Sequence, residues 1–152
     1  MEHIRKAETK DISRIAEILV FTKRINFRPI FHNDSFSFGE LQVLPVAREY
    51  QEDPAKLDVV WVYDDGFVKG LIHIEGKEVV QLYVDSFFEG QGIGGKLLEF
   101  AKQAFGVEFL WALEKNPRAL AFYQRHGFTY RGAWQYEEGT TERLLKLEAK
   151  RQ

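Results

Sequence analysis

The chain has 152 residues, of which 45% are hydrophobic and 29% charged, proportions typical of one folded globular domain. Its formal net charge of -2 provides no basic field, which excludes nucleic acid as a predicted partner. The chain contains no cysteine, and this excludes disulfides, thiolate zinc sites and a cysteine nucleophile. Because the sequence has no signal pattern and no apolar run of about 18 residues, we expect a cytoplasmic protein with no membrane partner.

The first third of the chain predicts one strand and one helix, followed by an irregular stretch. Residues 3–7 alternate loosely as a strand, and Asp11 is the predicted N-cap of a helix whose apolar residues recur at helical spacing. Between about residues 22 and 54 the pattern is irregular, with some helix around residues 44–50, and such long stretches are usually functional or mobile. Phenylalanines without a clear period could line a groove here: Phe21, Phe27, Phe31, Phe36 and Phe38.

The middle of the chain predicts an antiparallel meander of three strands. These strands cover residues 59–63, 67–74 and 78–84, and they are separated by the turn signals Asp-Asp-Gly and Glu-Gly-Lys. A glycine-rich segment then precedes a helix with one apolar face, formed by Leu97, Leu98, Ala101 and Phe105.

The last third predicts a strand, a helix and a closing hairpin. The strand covers residues 109–113, the helix is opened by Pro117 and ended by Gly127, and the hairpin joins residues 128–136 to 141–148. The predicted fold class is therefore a mixed α/β (α+β) sheet, mostly antiparallel, of about six to seven strands with helices on both faces. The strand–helix–strand step from 78 to 113 requires a parallel crossover, and residues 1–152 form one predicted domain.

The segment Glu-Gly-Gln-Gly-Ile-Gly-Gly-Lys at residues 89–96 predicts a pyrophosphate site, because glycines at a helix start expose N–H groups to an anion. Gly90, Gly92 and Gly95 also fit the dinucleotide pattern G-x-G-x-x-G, with Glu114 near the position of a ribose-binding acid. We disfavour that alternative because residues 85–89 separate the loop from its strand and the preceding strands are antiparallel. Too little chain also follows the loop for a substrate domain.

Two motifs, in order, resemble the GNAT acetyltransferases over roughly residues 59–147. In the first, [Gln/Arg]-x-x-Gly-x-[Gly/Ala], Gly92 and Gly94 match the glycines, whereas Glu89 departs from the first position. The second is the family's Asn-x-x-Ala-x-x-x-Tyr helix followed by Gly-Phe, which is matched by Asn116, Ala119, Tyr123, Gly127 and Phe128.

The resemblance implies a binding site for acetyl-CoA between strands that splay apart. The pantetheine arm would bond main-chain groups near Leu82, Tyr83 and Val84 as an added strand does. Asn116 would hydrogen-bond a pantetheine amide, with Ala119 and Phe122 packing on the arm. The pyrophosphate would be held by Gly90, Gln91, Gly92, Ile93, Gly94, Gly95 and Lys96.

The implied activity is N-acetyltransfer, in which an amine attacks the thioester directly without a covalent enzyme intermediate. The N–H of Val84 would donate to the developing oxyanion, and Tyr123 matches the family tyrosine that protonates the leaving thiolate. Glu78, at the start of its strand, is the candidate general base, and His73 is a second candidate. The histidines show no metal-ligand spacing, so we predict no metal.

The resemblance places the acceptor cleft at residues 21–50 and 134–141, where several basic residues suit an acceptor with a carboxylate or phosphate. The acceptor itself is a small-molecule or peptide amine that the sequence leaves open, and the resemblance also suggests a homodimer. Two other functions stay open: a non-catalytic acyl-CoA-binding or sensor module, and a nicotinamide-dinucleotide-binding protein. The basic residues of the first segment are Lys23, Arg24, Arg28 and His32.

Overall fold

A seven-stranded sheet forms the centre of the protein. The computed structural model describes the backbone of residues 2–31 and 43–150, and the side chains of residues 2–23 and 43–150. The sheet order is β1-β2-β3-β4-β5-β7-β6, and every pair is antiparallel except β4–β5. The predicted mixed, mostly antiparallel sheet with one parallel crossover is therefore confirmed. The strands are β1 (Ile4–Lys6), β2 (Val60–Asp64), β3 (Val68–Glu75), β4 (Glu78–Val84), β5 (Phe109–Leu113), β6 (Phe128–Tyr136) and β7 (Arg143–Ala149).

Two pairs of helices cover the two faces of this sheet, as predicted. Alternate residues of β2 separate the two cores, since Val62 is buried with one helix pair and Tyr63 with the other. The first core includes Ile15 and Leu71, and the second includes Leu97. The helices are α1 (Ile12–Phe31) and α2 (Val43–Glu52) on the first face, and α3 (Ile93–Phe105) and α4 (Pro117–Arg125) on the second.

The N-terminal segment differs from its prediction in two respects. Asp11 ends a short 3-10 helix, Thr9–Asp11, and accepts hydrogen bonds from the Glu8 N–H and from Arg5, so its predicted role as the N-cap of α1 is wrong. The expected irregular pattern is wrong for residues 22–31, which belong to α1, whereas α2 confirms the predicted helix around residues 44–50. Residues 32–42 of the expected stretch lie outside the described part of the chain. Apolar periodicity fades in α1 after Val20, which hid the rest of the helix.

The predicted phenylalanine group falls largely outside the described part of the chain. Phe21 lies on α1 with 51% of its surface exposed. Phe27 and Phe31 belong to α1 but their side chains are not described, and Phe36, Phe38 and His32 lie outside the described residues.

Candidate active site

A groove opens where β4 and β5 separate. The two strands pair only at Glu78–Phe109 and Val79–Leu110. Beyond these pairs, β4 stays paired with β3 and β5 stays paired with β7. The resulting groove has a volume of about 2050 Å³. It is lined by both strands, the start of α3, one side of α4 and the end of the β6–β7 hairpin, so it brings the two sequence motifs together.

The main chain of β4 presents polar groups to this groove. The N–H of Asp85 donates to the Lys69 carbonyl of β3 (2.8 Å), and Val84 lies opposite Gly70 in the register. Because consecutive residues of a strand point their N–H and C=O groups to opposite sides, the main-chain groups of Leu82 and Val84 face away from β3. Tyr83 directs its main chain towards β3 and lines the groove through its side chain.

A β-bulge lies at the start of this exposed edge. The register between β3 and β4 shifts between His73–Gln81 and Ile74–Val79, which leaves Val80 as the extra residue. A bulge bends its strand and increases the local twist. It therefore helps to turn β4 away from β5 where the groove begins.

The glycine loop leads into the N-terminus of α3. Gly90 and Gly92 have φ angles of 83° and 79°, which are costly for other residues, and a Cβ added at either would meet nothing within 4 Å. The first N–H groups of the helix have no carbonyl partner within the helix. An open turn with free N–H groups at the positive end of a helix dipole fits a pyrophosphate. Gln91 is exposed beside the groove, and the groove is lined by Gly90, Gly92, Ile93, Gly94, Gly95 and Lys96.

The loop before the glycines is fixed to α1. The Asp85 carboxylate accepts hydrogen bonds from the Phe87 N–H (2.9 Å) and from the Arg14 guanidinium, while Arg14 Nε donates to the Val68 carbonyl (2.7 Å). Burial opposes ionisation of Asp85, but these hydrogen bonds and the Arg14 charge outweigh it and lower its pKa. Asp85 therefore stays ionised and connects α1, β3 and the glycine loop.

Glu89, which departs from the family pattern, forms an ion pair across the groove. Its carboxylate lies 2.9 Å from Arg118 Nη2 on α4. Both side chains are exposed, to 37% and 80%. The pair joins the loop before α3 to the first turn of α4.

Helix α4 packs its motif residues against the groove. Asn116 caps the helix by accepting the Ala119 N–H at 3.2 Å, which leaves its amide N–H groups available as donors. A Cβ added at Gly94 would lie 3.3 Å from the Phe122 ring. Glycine at position 94 thus lets α3 and α4 approach each other closely, and both Ala119 and Phe122 line the groove.

Tyr123 lines the groove from α4. Its ring packs edge-on against Phe122 at 5.2 Å and against Phe128 at 6.4 Å. Burial raises the pKa of Tyr123 to about 12, because the charged phenolate is poorly solvated there. The side chain is therefore a protonated phenol at neutral pH, which is the form that a proton donor needs.

Of the two predicted bases, Glu78 lies at the closed end of the groove and His73 lies on the neighbouring strand β3. Burial and the nearby charge of Glu75 raise the pKa of Glu78, against the influence of His73 and Lys146. Glu78 lines the groove. His73 points to Glu75, with 3.2 Å between Nε2 and the carboxylate, and it does not belong to the lining of the groove.

The predicted acceptor cleft is formed in part by described residues. Lys23 of α1 lines the groove opposite the end of the β6–β7 hairpin, where residues 135–142 line it. The side chains of Arg24, Arg28 and His32, which the sequence grouped with Lys23, lie outside the described residues.

Sequence reasoning gave no role to several titratable residues of this groove, among them His126 and Glu137. The His126 ring lies against the start of α3, since a Cβ added at Gly95 would be 2.9 Å from its Cε1 atom, and its centroid is 4.7 Å from that of the Phe122 ring. Glu137 lines the opposite end, where the charge of Lys23 acts on it. His126 lies just before Gly127 and Glu137 just before the Glu138-Gly139 turn, and no local spacing distinguishes them from surface side chains.

The dinucleotide alternative does not fit this arrangement. Glu114, its candidate ribose ligand, pairs with Arg143 at 3.2 Å. The sheet has a single parallel pair, whereas the dinucleotide fold needs a series of parallel strands.

The described residues contain no group of three or more His, Cys, Asp or Glu side chains arranged to hold a metal ion. No helix among them is both long and apolar enough to span a bilayer.

The site and fold agree with a known family. Residues 56–130 match the family model described as an acetyltransferase (GNAT) domain, and this match includes both β4 with its glycine loop and α4. The chain belongs to the GNAT acetyltransferases.

Solved structures with the same fold match nearly the whole chain. The PaiA N-acetyltransferase from Thermoplasma acidophilum, in complex with coenzyme A, is 19% identical, with a TM-score of 0.68 and coverage of 95% of this chain and 97% of that one. YjaB from Escherichia coli is 21% identical, with a TM-score of 0.74 and 95% of each chain covered. YncA from Salmonella typhimurium, with its cofactor acetyl-CoA, is 20% identical, with a TM-score of 0.65 and coverage of 95% and 91%. A comparison with curated proteins gave no match.

Proposed function

We propose that this protein is an acetyl-CoA-dependent N-acetyltransferase that transfers an acetyl group directly to the primary amine of a small molecule or peptide. The observation that carries this proposal is the groove between β4 and β5. Three features face this groove: the free main-chain groups of β4, the open N-terminus of α3 and the protonated phenol of Tyr123. They provide, in that order, a strand edge, an anion site and a proton donor.

The residues of the groove suit the three parts of acetyl-CoA. Leu82 and Val84 would bond the amides of the pantetheine arm through their main chain. The N–H groups at the start of α3 would hold the pyrophosphate. Asn116 would add a side-chain N–H donor, while Ala119 and Phe122 would provide apolar contacts.

Acetyl-CoA supplies the activated acetyl group, and the protein supplies orientation and proton transfer. The N–H of Val84 would donate to the carbonyl oxygen, on which negative charge develops during attack. Tyr123 would donate its proton to the sulfur that leaves. Glu78 is the sequence-predicted base, and its raised pKa suits a group that must accept a proton near neutral pH.

Ligand binding tests the first part of the proposal. Purified protein would be titrated with acetyl-CoA, CoA and NAD in separate thermal-unfolding experiments. A ligand at 100 times its dissociation constant stabilises a protein by about 2.7 kcal/mol. We expect stabilisation by acetyl-CoA and CoA but not by NAD, and stabilisation by NAD alone, or by none of the three, would contradict the proposal.

Turnover tests the second part. Thiol release from acetyl-CoA would be measured with a set of primary amines, for wild type and Tyr123→Phe. We expect the substitution to slow thiol release about 100-fold without changing acetyl-CoA affinity. Tyr130→Phe, which removes a hydroxyl group from an exposed tyrosine of β6, is the matched control. Tight acetyl-CoA binding without turnover of any amine would instead favour the acyl-CoA sensor.

A further inference from the structure

We infer that the acceptor enters this groove as an organic ammonium ion and that Glu137 binds it and takes its proton. The inference rests on the proposed acetyl transfer and names its substrate class: a primary amine with no carboxylate or phosphate beside the reacting nitrogen. It differs from the anionic acceptor that the basic residues grouped with Lys23 in the sequence would suit, an acceptor whose identity the sequence left open.

Glu137 is held in a fixed position at the end of the β6–β7 hairpin. Its N–H donates to the Glu142 carbonyl (2.8 Å), and its own carbonyl accepts the N–H (3.0 Å) and the hydroxyl (2.9 Å) of Thr140. The Glu142 carboxylate in turn pairs with Lys115, before α4, at 3.1 Å. The hairpin end is thus attached to the body of the protein, and the Glu137 side chain lines the groove in a half-buried position.

Three aromatic side chains line the same groove as Glu137: Tyr83 of β4, Trp111 of β5 and Tyr136 of β6. The face of an aromatic ring attracts a cation, and a carboxylate attracts it more strongly. An organic ammonium ion satisfies both features, whereas an acceptor with a carboxylate would meet the Glu137 charge.

Among the residues with described side chains, the charged groups near Glu137 leave its carboxylate available. Lys23 of α1 acts on it electrostatically, and Glu137 also influences Tyr83. Within residues 2–23 and 43–150, no ion pair of 4.0 Å or less uses the Glu137 carboxylate. Lys23 also acts electrostatically on Glu49 of α2, so the charge of Lys23 is shared between two carboxylates.

Glu137 is better placed than Glu78 to meet the acceptor. The charges that act on Glu78 come from Glu75 and His73 of β3 and from Lys146 of β7, at the closed end of the groove. Glu137 instead contributes to raising the pKa of Tyr83, and Tyr123 contributes to the same shift. Burial and Glu138 raise the pKa of Glu137, while Lys23 opposes this shift, so the carboxylate can accept a proton closer to neutral pH than an ordinary glutamate.

Transfer of the acetyl group involves proton transfers at Glu137 and at Tyr123. The ammonium ion gives one proton to the Glu137 carboxylate, which later releases it to water. The neutral nitrogen then forms a bond to the acetyl carbon while the carbon–sulfur bond breaks, and the sulfur takes the phenol proton of Tyr123. The second nitrogen proton leaves through water and restores the phenol, so that one proton is released for each acetyl group transferred.

Matched amines test the substrate class. The probes are phenethylamine against phenylalanine and tyramine against tyrosine, because each pair differs only by a carboxylate beside its single amine. We expect the carboxylate-free member of each pair to have a kcat/KM at least tenfold higher in the thiol-release assay. Equal or better use of phenylalanine and tyrosine would overturn the substrate class.

Glu137→Gln tests the residue, with Glu108→Gln, at an exposed glutamate outside the lining of the groove, as matched control. We expect Glu137→Gln to lower kcat/KM for phenethylamine about 100-fold and Glu108→Gln to change it less than threefold. The wild-type kcat/KM should fall as pH drops through the raised pKa of Glu137, and this acidic limb should be lost in Glu137→Gln. A purely structural role would lower activity at every pH alike, and that result would overturn the assignment.

Acetyl-CoA binding separates the two possible failures. If Glu137→Gln binds acetyl-CoA as wild type does and acetylates phenethylamine at the wild-type rate, the inference about Glu137 fails and the acetyltransferase proposal stands. If acetyl-CoA binds and none of the four probes reacts, the inferred substrate class fails. If wild type does not bind acetyl-CoA, the proposed function itself fails.

Discussion

Burial determines the protonation state of the groove's most important phenol. Tyr123 and Tyr83 share this end of the groove, and burial raises the pKa of both side chains. For a proton donor this shift is useful, because the phenol stays protonated at the pH where an alkylamine loses its proton, which is about 10.4 for lysine.

The pH dependence of turnover tests this effect of burial. Since the pKa of Tyr123 is raised to about 12, the donor stays protonated through pH 10, the ordinary tyrosine pKa. With saturating phenethylamine, kcat should therefore not fall between about pH 8 and pH 10. A fall in kcat with an apparent pKa near 10 would show that Tyr123 titrates as an exposed tyrosine.

Glu89 places a negative charge where the family pattern has a polar or basic residue. Its pair with Arg118 offsets that charge and occupies the arginine. We expect Glu89→Gln to tighten acetyl-CoA binding about two- to fivefold, the range of an exposed charge interaction, because it removes a repulsive charge and releases Arg118. Calorimetric titration would measure it.

The control for Glu89 is the same substitution in an Arg118→Ala background. There the gain from releasing Arg118 is absent, so the improvement should be smaller than in the wild-type background. Weaker acetyl-CoA binding by Glu89→Gln in the presence of Arg118 would contradict this explanation.

At the scale of elements, the glycine loop depends on its connection to α1. Asp85 connects the loop to Arg14, which also bonds the Val68 carbonyl of β3. On the other side of the loop, Phe88 packs against Phe67 (5.2 Å) and under Lys69 (4.6 Å). These contacts position the start of α3 relative to β4, and hence the anion site relative to the strand edge.

We expect Asp85→Ala to weaken acetyl-CoA binding about tenfold, or about 1.4 kcal/mol, because Arg14 and the Phe87 N–H lose their acceptor. Ser86→Ala, at the adjacent exposed position, is the control and should bind acetyl-CoA as wild type does. Calorimetric titration measures both, and an unchanged dissociation constant for Asp85→Ala would show that the glycines hold their own geometry.

At the scale of the whole molecule, one buried carboxylate connects the N-terminal strand to the rest of the fold. Arg5 of β1 donates to Asp11 at 2.8 and 2.9 Å and to Asp64 at 2.9 Å. Asp11 is 5% exposed. Burial opposes its ionisation, but the hydrogen bonds from Arg5 and Glu8 and the charge of Arg5 prevail and lower its pKa.

Because the pKa of Asp11 is lowered on folding, ionisation of Asp11 stabilises the fold above the ordinary carboxyl pKa, and this contribution is lost as pH falls through the folded value. We expect Asp11→Ala to reduce the free energy of unfolding by about 2–3 kcal/mol at pH 7. The difference from wild type should shrink below about pH 4. Denaturant unfolding at several pH values would measure it.

Asp58→Ala is the control for Asp11, since Asp58 makes an exposed ion pair with Lys6 at 3.2 Å. Such a pair contributes about 0–1 kcal/mol, so its removal should change stability little. A difference between wild type and Asp11→Ala that grows as pH falls would contradict the ionised, paired state of Asp11.

The sequence by itself determined the family motifs of this protein and its strands and helices from β2 onwards, whereas the extent of α1 escaped it. Turn signals and strand alternation gave β4 and β5 with their observed bounds, and Asn116, Pro117 and Gly127 located α4. These features depend on residues a few positions apart, and local backbone preferences act over the same distance.

Only the tertiary structure decided which charged side chains share the groove. Glu137 lines the same groove as Lys23 and Tyr83 because β7 lies between β5 and β6, which places the end of the β6–β7 hairpin beside the groove. Likewise, His126 meets Gly95 through the packing of α4 on α3. Such contacts join residues that are far apart in the chain, and their burial, which sets their pKa values, arises only when the sheet and helices have assembled.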